Sequence, residues 1–247
     1  MTDTPLEKRT VLVTGASSGI GAATVRAMAA AGHTVHAAAR RADRLDALAA
    51  ETGCTALALD VNDAAAVARL ADLEVDVLVN NAGIGNAIDG LVNADPADIA
   101  LTLDTNVKAL ALVTRAVLPG MIARKGGHVV NVGSVAGIYP TVSAVYGASK
   151  GAVHMFSQNL RIELRGTGVR VTTIAPGRVR TEFYDAAIPD PARRDPLKET
   201  GIRELDPEDI AGAIRYAVDA PPHVNLSMIE VQPLEQSFGG VSFDTVF

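Results

Sequence analysis

The chain has 247 residues, nearly half of them apolar, with 22 Lys and Arg against 28 Asp and Glu, a net charge of −6, one cysteine and no tryptophan. An acidic chain without a basic run speaks against a polyanionic partner, so neither nucleic acid nor an anionic membrane surface is expected. Cys54 has no intrachain partner and no Cys/His cluster has metal-ligand spacing, which points to a reducing cytoplasm and to no metal. The polar first ten residues contain no apolar core of the kind a signal peptide needs. The most apolar helix, around Leu110 to Ile122, is expected to be broken by Arg115 and by Pro119-Gly120, too short to span a bilayer. Ala, Val, Leu and Ile suffice for a sheet buried on both faces, and one domain over 1–247 is expected.

Residues 10–13 (TVLV) read as a first strand. The turn Thr14-Gly15-Ala16-Ser17-Ser18-Gly19-Ile20-Gly21 leads from it into an alanine-rich helix over 22–31. Strand, glycine turn and helix together form the context in which such a motif binds a dinucleotide. Gly15 allows the tight exit, Gly19 lets backbone approach a pyrophosphate, and Gly21 lets helix and strand pack closely. Free N–H groups at the helix start favour the phosphates. Gly32 ends this helix and residues 34–39 (TVHAAA) make a second strand, closing a β-α-β unit. An acid at that strand's end would grip a ribose 2′-hydroxyl; here Ala39 is followed by Arg40 and Arg41, which suit a 2′-phosphate. NADP(H) is therefore expected over NAD(H), with Arg40 the main determinant and the hydroxyls of Ser17 and Ser18 assisting; the plainer alternative is two arginines decorating a helix start.

Leu45 and Leu48 give the next helix its buried face, and residues 55–59 (TALAL) form a third strand ending at Asp60-Val61. A helix follows near Asp63, for which Asp60 is a candidate N-cap. The fourth strand, 75–79 (VDVLV), runs into Asn80-Asn81-Ala82-Gly83. Asp95-Pro96-Ala97-Asp98 opens a helix predicted to run to Pro119 and to carry Asn106 among Leu101, Leu103, Val107 and Leu110, where a buried amide demands a partner. A strand through Val129 to Val132 then delivers Ser134, and a helix from Tyr146 to about Arg165 carries Lys150 one turn on. Positions i and i+4 share a face, so a phenol and an ammonium stand side by side; the cation is expected to lower the tyrosine pKa, making Tyr146 an acid/base, with Ser134 as a second donor to the same substrate oxygen. Taken singly, each has a plainer reading as packing, turn or solvated surface. Residues 169–175 (VRVTTIA) form the next strand, ending at Pro176-Gly177; residues 184–204 read as a substrate lid with Gly201 as a hinge; Asp206-Pro207-Glu208 opens the last helix, and Leu226 to Val231 is a closing strand.

Ser134, then tyrosine twelve positions on and lysine four further, with the TGxxxGxG turn, resembles the short-chain dehydrogenase/reductase family from Val11 to about Gly240. The resemblance implies a single Rossmann-type, doubly wound α/β domain with a mainly parallel seven-stranded sheet and helices on both faces. It implies that Lys150 holds the nicotinamide ribose, that Asn106 holds a water linking the lysine to solvent, and that Asp60, beside Val61, accepts from the adenine amino group. It implies that Asn81, Ala82 and Gly83 line the adenine and ribose side, with Asn80 tying neighbouring strands. The segment Pro176-Gly177-Arg178-Val179-Arg180-Thr181 matches the family's PG-x-V-x-T, in which Val179 and Thr181 meet the nicotinamide carboxamide. The segment 223–240, with SVAGIYP and RTEF, is most similar to the branch of serine and other 3-hydroxy acid dehydrogenases, for whose anionic substrates Arg178 or Arg180 is the candidate cation unless solvated. A homodimer or homotetramer through the Tyr146 and Asn106 helices is implied, against a helix buried within one subunit. The implied reaction interconverts a small secondary alcohol and its carbonyl; the alternatives are a reductase of acyl-chain β-ketoesters and a non-catalytic NADP sensor.

Overall fold

The computed structural model describes residues 8–86, 88, 90–92, 94–188 and 190–236. The N-terminal stretch 1–7, Pro189 of the expected lid and residues 237–240 of the expected C-terminal match lie outside the described residues. Seven strands form one sheet: β1 Thr10–Thr14, β2 Thr34–Ala39, β3 Thr55–Ala58, β4 Val77–Asn80, β5 Gly127–Val132, β6 Val169–Pro176 and β7 Met228–Val231. Their order is β3-β2-β1-β4-β5-β6-β7, and all neighbouring pairs are parallel. The sheet is thus wholly rather than mainly parallel. Its order reverses between β1 and β4, and in such sheets a crevice opens there beyond the carboxyl ends of the strands.

Helices cover both faces, as the strand sequences require. The helices are α1 Gly19–Ala30, α2 Ala42–Thr52, α3 Ala64–Ala68, α4 Pro96–Leu103, α5 Leu110–Ala123, α6 Ala144–Glu163, α7 Phe183–Ala187, α8 Pro191–Lys198 and α9 Pro207–Asp219. Because side chains alternate along a strand, Val11 and Val13 pack with Val25, Met28, Ile210 and Ile214 on one face. Leu12 goes to the other, with Val113, Val117, Met121 and Leu160. Both sides of the strand are apolar, which is why TVLV shows no polar alternation.

Three local expectations change. The helix starting at Pro96 does not break at Pro119-Gly120: α4, a π-helical turn Asp104–Ala109 and α5 run on continuously to Ala123. Pro119 and Arg115 both lie on the exposed side, where a lost backbone bond is least costly. This 28-residue helix is long and apolar enough to cross a membrane by length and composition. Here its Val113, Val117 and Met121 are core residues, and it buries Thr102, Thr105, Asn106 and Thr114. The second change concerns Asp60, which does not cap α3. Asp63 does, its carboxylate accepting from the N–H of Ala65 and Ala66 at 2.9 and 3.1 Å, whereas Asp60 accepts from Asn62 N at 2.9 Å in a local turn. The third is the start of α6 at Ala144, capped by Ser143, which places Tyr146 inside the first turn. The expected lid holds the short helices α7 and α8, neither with a buried residue.

On α6, Met155 and Ile162 are 55 % and 66 % exposed, so complete burial of this helix within one chain does not hold.

Candidate active site

A cleft of about 630 Å³ opens at the carboxyl edge of the sheet. The expected cofactor and catalytic residues line it, except Gly21, Asp60 and Asn106. Thr14 stitches the switch point together: its Oγ1 accepts from the N–H of Asn81 and Ala82, both at 3.1 Å. Asn81 Nδ2 donates back to the carbonyls of Thr14 and Gly15 at 3.0 and 3.2 Å. One strand further along, Asn80 Nδ2 donates to Asn131 Oδ1 and Thr114 Oγ1, both at 2.9 Å, the strand-tying role expected of it.

At the glycine turn, Gly15 has φ +65, and a Cβ there would stand 2.8 Å from Ala82 Cα. Ser18 precedes α1 without capping it through its side chain, so the first N–H groups of the helix stay available to an anion. Its hydroxyl instead accepts from Arg41 at 2.6 Å, while Ser17 Oγ accepts from Arg41 Nε at 3.0 Å. These features fit a dinucleotide: backbone donors at a helix start, close packing permitted by glycine, and an arginine fixed beside them. A Cβ on Gly21 would lie 2.3 Å from Gly15 O and 2.6 Å from Asn81 Nδ2. Gly21→Ala should therefore push the turn out of place, lowering stability by about 1–3 kcal/mol and weakening nucleotide binding. Thermal melts and a reduced-cofactor fluorescence titration check this, and an unchanged variant would sink the close-packing account. Arg40, expected to lead, lines the cleft, but Arg41 is the arginine bonded to the turn.

The candidate catalytic residues Ser134, Tyr146 and Lys150 converge on the cleft lining. Ser134 leaves β5 in extended backbone, its Oγ accepts from Ala136 N at 3.1 Å, and it lines the cleft together with Tyr146. Lys150 Nζ donates to the Val132 carbonyl at 2.9 Å and stands 5.9 Å from the centre of the Tyr146 ring. The expected lowering of the tyrosine pKa is not found. Burial pushes the Tyr146 phenol up to about 12, the Ser134 hydrogen bond opposing this and the Tyr184 phenol adding to it. Burial also brings Lys150 down to about 8. Desolvation disfavours the charged form of each group, and the ammonium is aimed at a backbone carbonyl rather than at the phenol oxygen.

Asn106 lies in the π turn, a local widening common at functional sites. Its Oδ1 accepts from Ile84 N at 2.8 Å, and its Nδ2 donates to Ile84 O at 2.9 Å and Ser149 Oγ at 3.0 Å. Both amide hydrogens are committed, and the loop after β4 is thereby pinned to α6. Val179 and Thr181 line the cleft as expected. Arg178 also lines it, but its guanidinium pairs with Glu204 at 2.7 Å and lies 4.3 Å above the Tyr184 ring. Arg180 pairs with Asp206 and does not face the cleft.

Several contributors carry no local sequence signal. His154 Nε2 sits 3.1 Å from Ser134 O, backing that residue from α6. Gln236 Oε1 accepts from Arg178 N at 2.7 Å, so the C-terminal segment braces the turn after β6. Phe183 packs on Tyr146 with ring centroids 5.3 Å apart. Glu182 takes hydrogen bonds from Arg41 and Arg44. The glutamate and Phe183 stand in the RTEF segment and Arg44 follows the Arg40-Arg41 pair, but their meeting across more than 130 residues is a product of the fold.

The fold and this constellation define a short-chain dehydrogenase: residues 9–191 match the short chain dehydrogenase family, and the chain belongs to it. Among its relatives, the NADP-dependent 3-hydroxy acid dehydrogenase YdfG of Salmonella typhi is 43% identical over 242 residues, covering 94% of this chain and 98% of that protein. Sulfoacetaldehyde reductase 2 of Chromohalobacter salexigens is 42% identical over 252 residues, covering 95% and 98%. In three dimensions the chain is similar to the closed form of a serine dehydrogenase complexed with NADP+, with a TM-score of 0.89 and 40% identity over 96% of this chain and 99% of that one.

Proposed function

We propose that this chain is an NADP(H)-dependent oxidoreductase that interconverts a small secondary alcohol, a 3-hydroxy acid first among the candidates, and its carbonyl. The observation that carries the reading is the convergence of Ser134, Tyr146 and a buried Lys150 on the lining of the large cleft. The glycine turn and the N-terminus of α1 would hold the pyrophosphate, Arg41 the adenosine end, and Val179 and Thr181 the carboxamide. Bound there, the nicotinamide supplies or accepts the hydride. Ser134 Oγ and Tyr146 Oη bond the substrate oxygen, and Tyr146 gives or takes its proton. With a phenol pKa near 12, the cofactor-free site holds that proton at neutral pH, ready for donation to a carbonyl. Lys150 orients the ribose and shares the proton path, with Asn106 completing it. With both Asn106 amide hydrogens engaged, an acceptor oxygen of Asn106 would hold the water on that path.

The YdfG relative and the serine dehydrogenase support the 3-hydroxy acid class. The open face of α6 supports a second subunit packed against it, and the lone buried Cys54 fits the cytoplasm.

Fluorescence titration of NADPH against NADH, followed by a panel of hydroxy acids, diols and aryl alcohols with NADP⁺ read by absorbance of the reduced cofactor, tests the reading. NADPH is expected to bind about ten-fold or more tightly, as a charge-assisted phosphate contact predicts, and β-hydroxy acids to be turned over fastest. Activity confined to neutral alcohols would remove the acid assignment, and equal binding of the two nucleotides would remove the cofactor assignment.

A further inference from the structure

The start of the lid is tied to the far end of the cofactor cleft by charge. Glu182, one residue before α7, reaches the start of α2, where Arg44 donates to its two carboxylate oxygens at 2.9 and 2.8 Å and Arg41 donates at 3.1 Å. The same Arg41 holds the hydroxyls of Ser17 and Ser18. Two guanidiniums and two hydroxyls collected at the end of β2 form a receptor for an oxyanion, and the carboxylate of Glu182, two residues before the expected lid, occupies it. The Arg44 hydrogen bond, with Arg41, holds the Glu182 carboxyl below its ordinary range, so the group is anionic at neutral pH.

From this geometry we infer that Arg44 and Glu182 determine cofactor selectivity: Arg44 is a second phosphate-binding arginine, and Glu182 competes with the adenosine 2′-phosphate for both guanidiniums. The inference rests on the NADP(H) reading above. A phosphate monoester carries nearly two charges and three acceptor oxygens at neutral pH and matches an arginine fork better than one carboxylate does. The two anions cannot share the fork without like-charge repulsion. A nucleotide bearing the 2′-phosphate therefore displaces Glu182 and frees the beginning of the lid, whereas one with a bare 2′-hydroxyl leaves the tie in place. The linkage is reciprocal: whatever holds Glu182 on the arginines weakens phosphate binding by the same factor.

The test uses adenosine 2′,5′-bisphosphate and 5′-AMP, two probes that differ in the phosphate at issue and carry no nicotinamide, with binding measured by calorimetry on the full chain. Glu182→Gln should tighten bisphosphate binding by about three-fold, the scale of an exposed ion pair, and leave 5′-AMP within a factor of two. Arg44→Ala should weaken bisphosphate binding by about five-fold without moving 5′-AMP. Circular dichroism melts confirm that both variants are folded. Glu182→Gln binding the bisphosphate no better than wild type, or both probes shifting alike, overturns the competition. Wild type binding the two probes equally overturns the 2′-phosphate reading itself, a different result from a preference that Glu182 does not influence.

Discussion

Replacing Tyr146 with phenylalanine should lower turnover by about two to four orders of magnitude, the range removed with a positioned general acid/base, while NADPH affinity stays within a few fold. The phenol lines the cleft beside Ser134, and its ring already has apolar company in Phe183. Deleting the oxygen removes the proposed proton carrier and leaves the packing. The Ser134 hydroxyl keeps its bond from Ala136 N. Single-turnover rates beside a cofactor titration separate the two effects. Equal losses of turnover and of cofactor affinity would instead mark Tyr146 as a structural support.

Lys150→Met should abolish most activity yet leave the fold at least as stable as wild type at neutral pH. The amine is nearly inaccessible, and its ordinary value of 10.5 falls to about 8 through desolvation. A difference of that size corresponds to about 3 kcal/mol against the charged folded form. The bond to Val132 O offsets about 1 kcal/mol of any gain from its removal. The sign with pH follows. Above about 10.5 the amine is neutral in folded and unfolded chains and carries no penalty. As pH falls from there, the unfolded chain takes up a proton that the folded chain does not, and the penalty reaches its full size at about 8 and below. The stability advantage of Lys150→Met should therefore be small near pH 10.5 and grow until about pH 8. Paired thermal melts across that window check it. A variant melting well below wild type at neutral pH would make the lysine a structural tie.

Where chemistry is written locally, the sequence was enough. The glycine turn, the Asn80-Asn81-Ala82-Gly83 segment and the tyrosine–lysine step each occupy a few consecutive positions on one strand end or helix turn, and backbone geometry carries them directly into place. The alternation that sends Val11 and Val13 one way and Leu12 the other was likewise implicit in a run of buried apolar residues. What stayed hidden depends on distant partners or on desolvation. The preference for Arg41 over Arg40 at the turn depends on which side chain meets Ser17 and Ser18, and that is set by the path of the backbone between β2 and α2. His154 behind Ser134 and Gln236 beneath Arg178 are set by packing between elements. The direction of the Tyr146 shift was misjudged because an i+4 spacing tells which charge is near and says nothing of how much water has been removed. Pro119 likewise ends a helix only when the freed carbonyl lacks an alternative; on an exposed side it does not.

The position of β1 has a consequence for the nascent chain. Of the seven strands β1 comes first in the chain yet lies inside the sheet, and the Val11–Val13 edge facing away from β2 acquires its neighbour only when residues 77–79 have been synthesised. Until then a strand with the apolar centre Val11-Leu12-Val13 offers open N–H and C=O groups on that edge, a template for pairing between chains. Docking of β4 onto β1 therefore closes a site at which two nascent chains could pair.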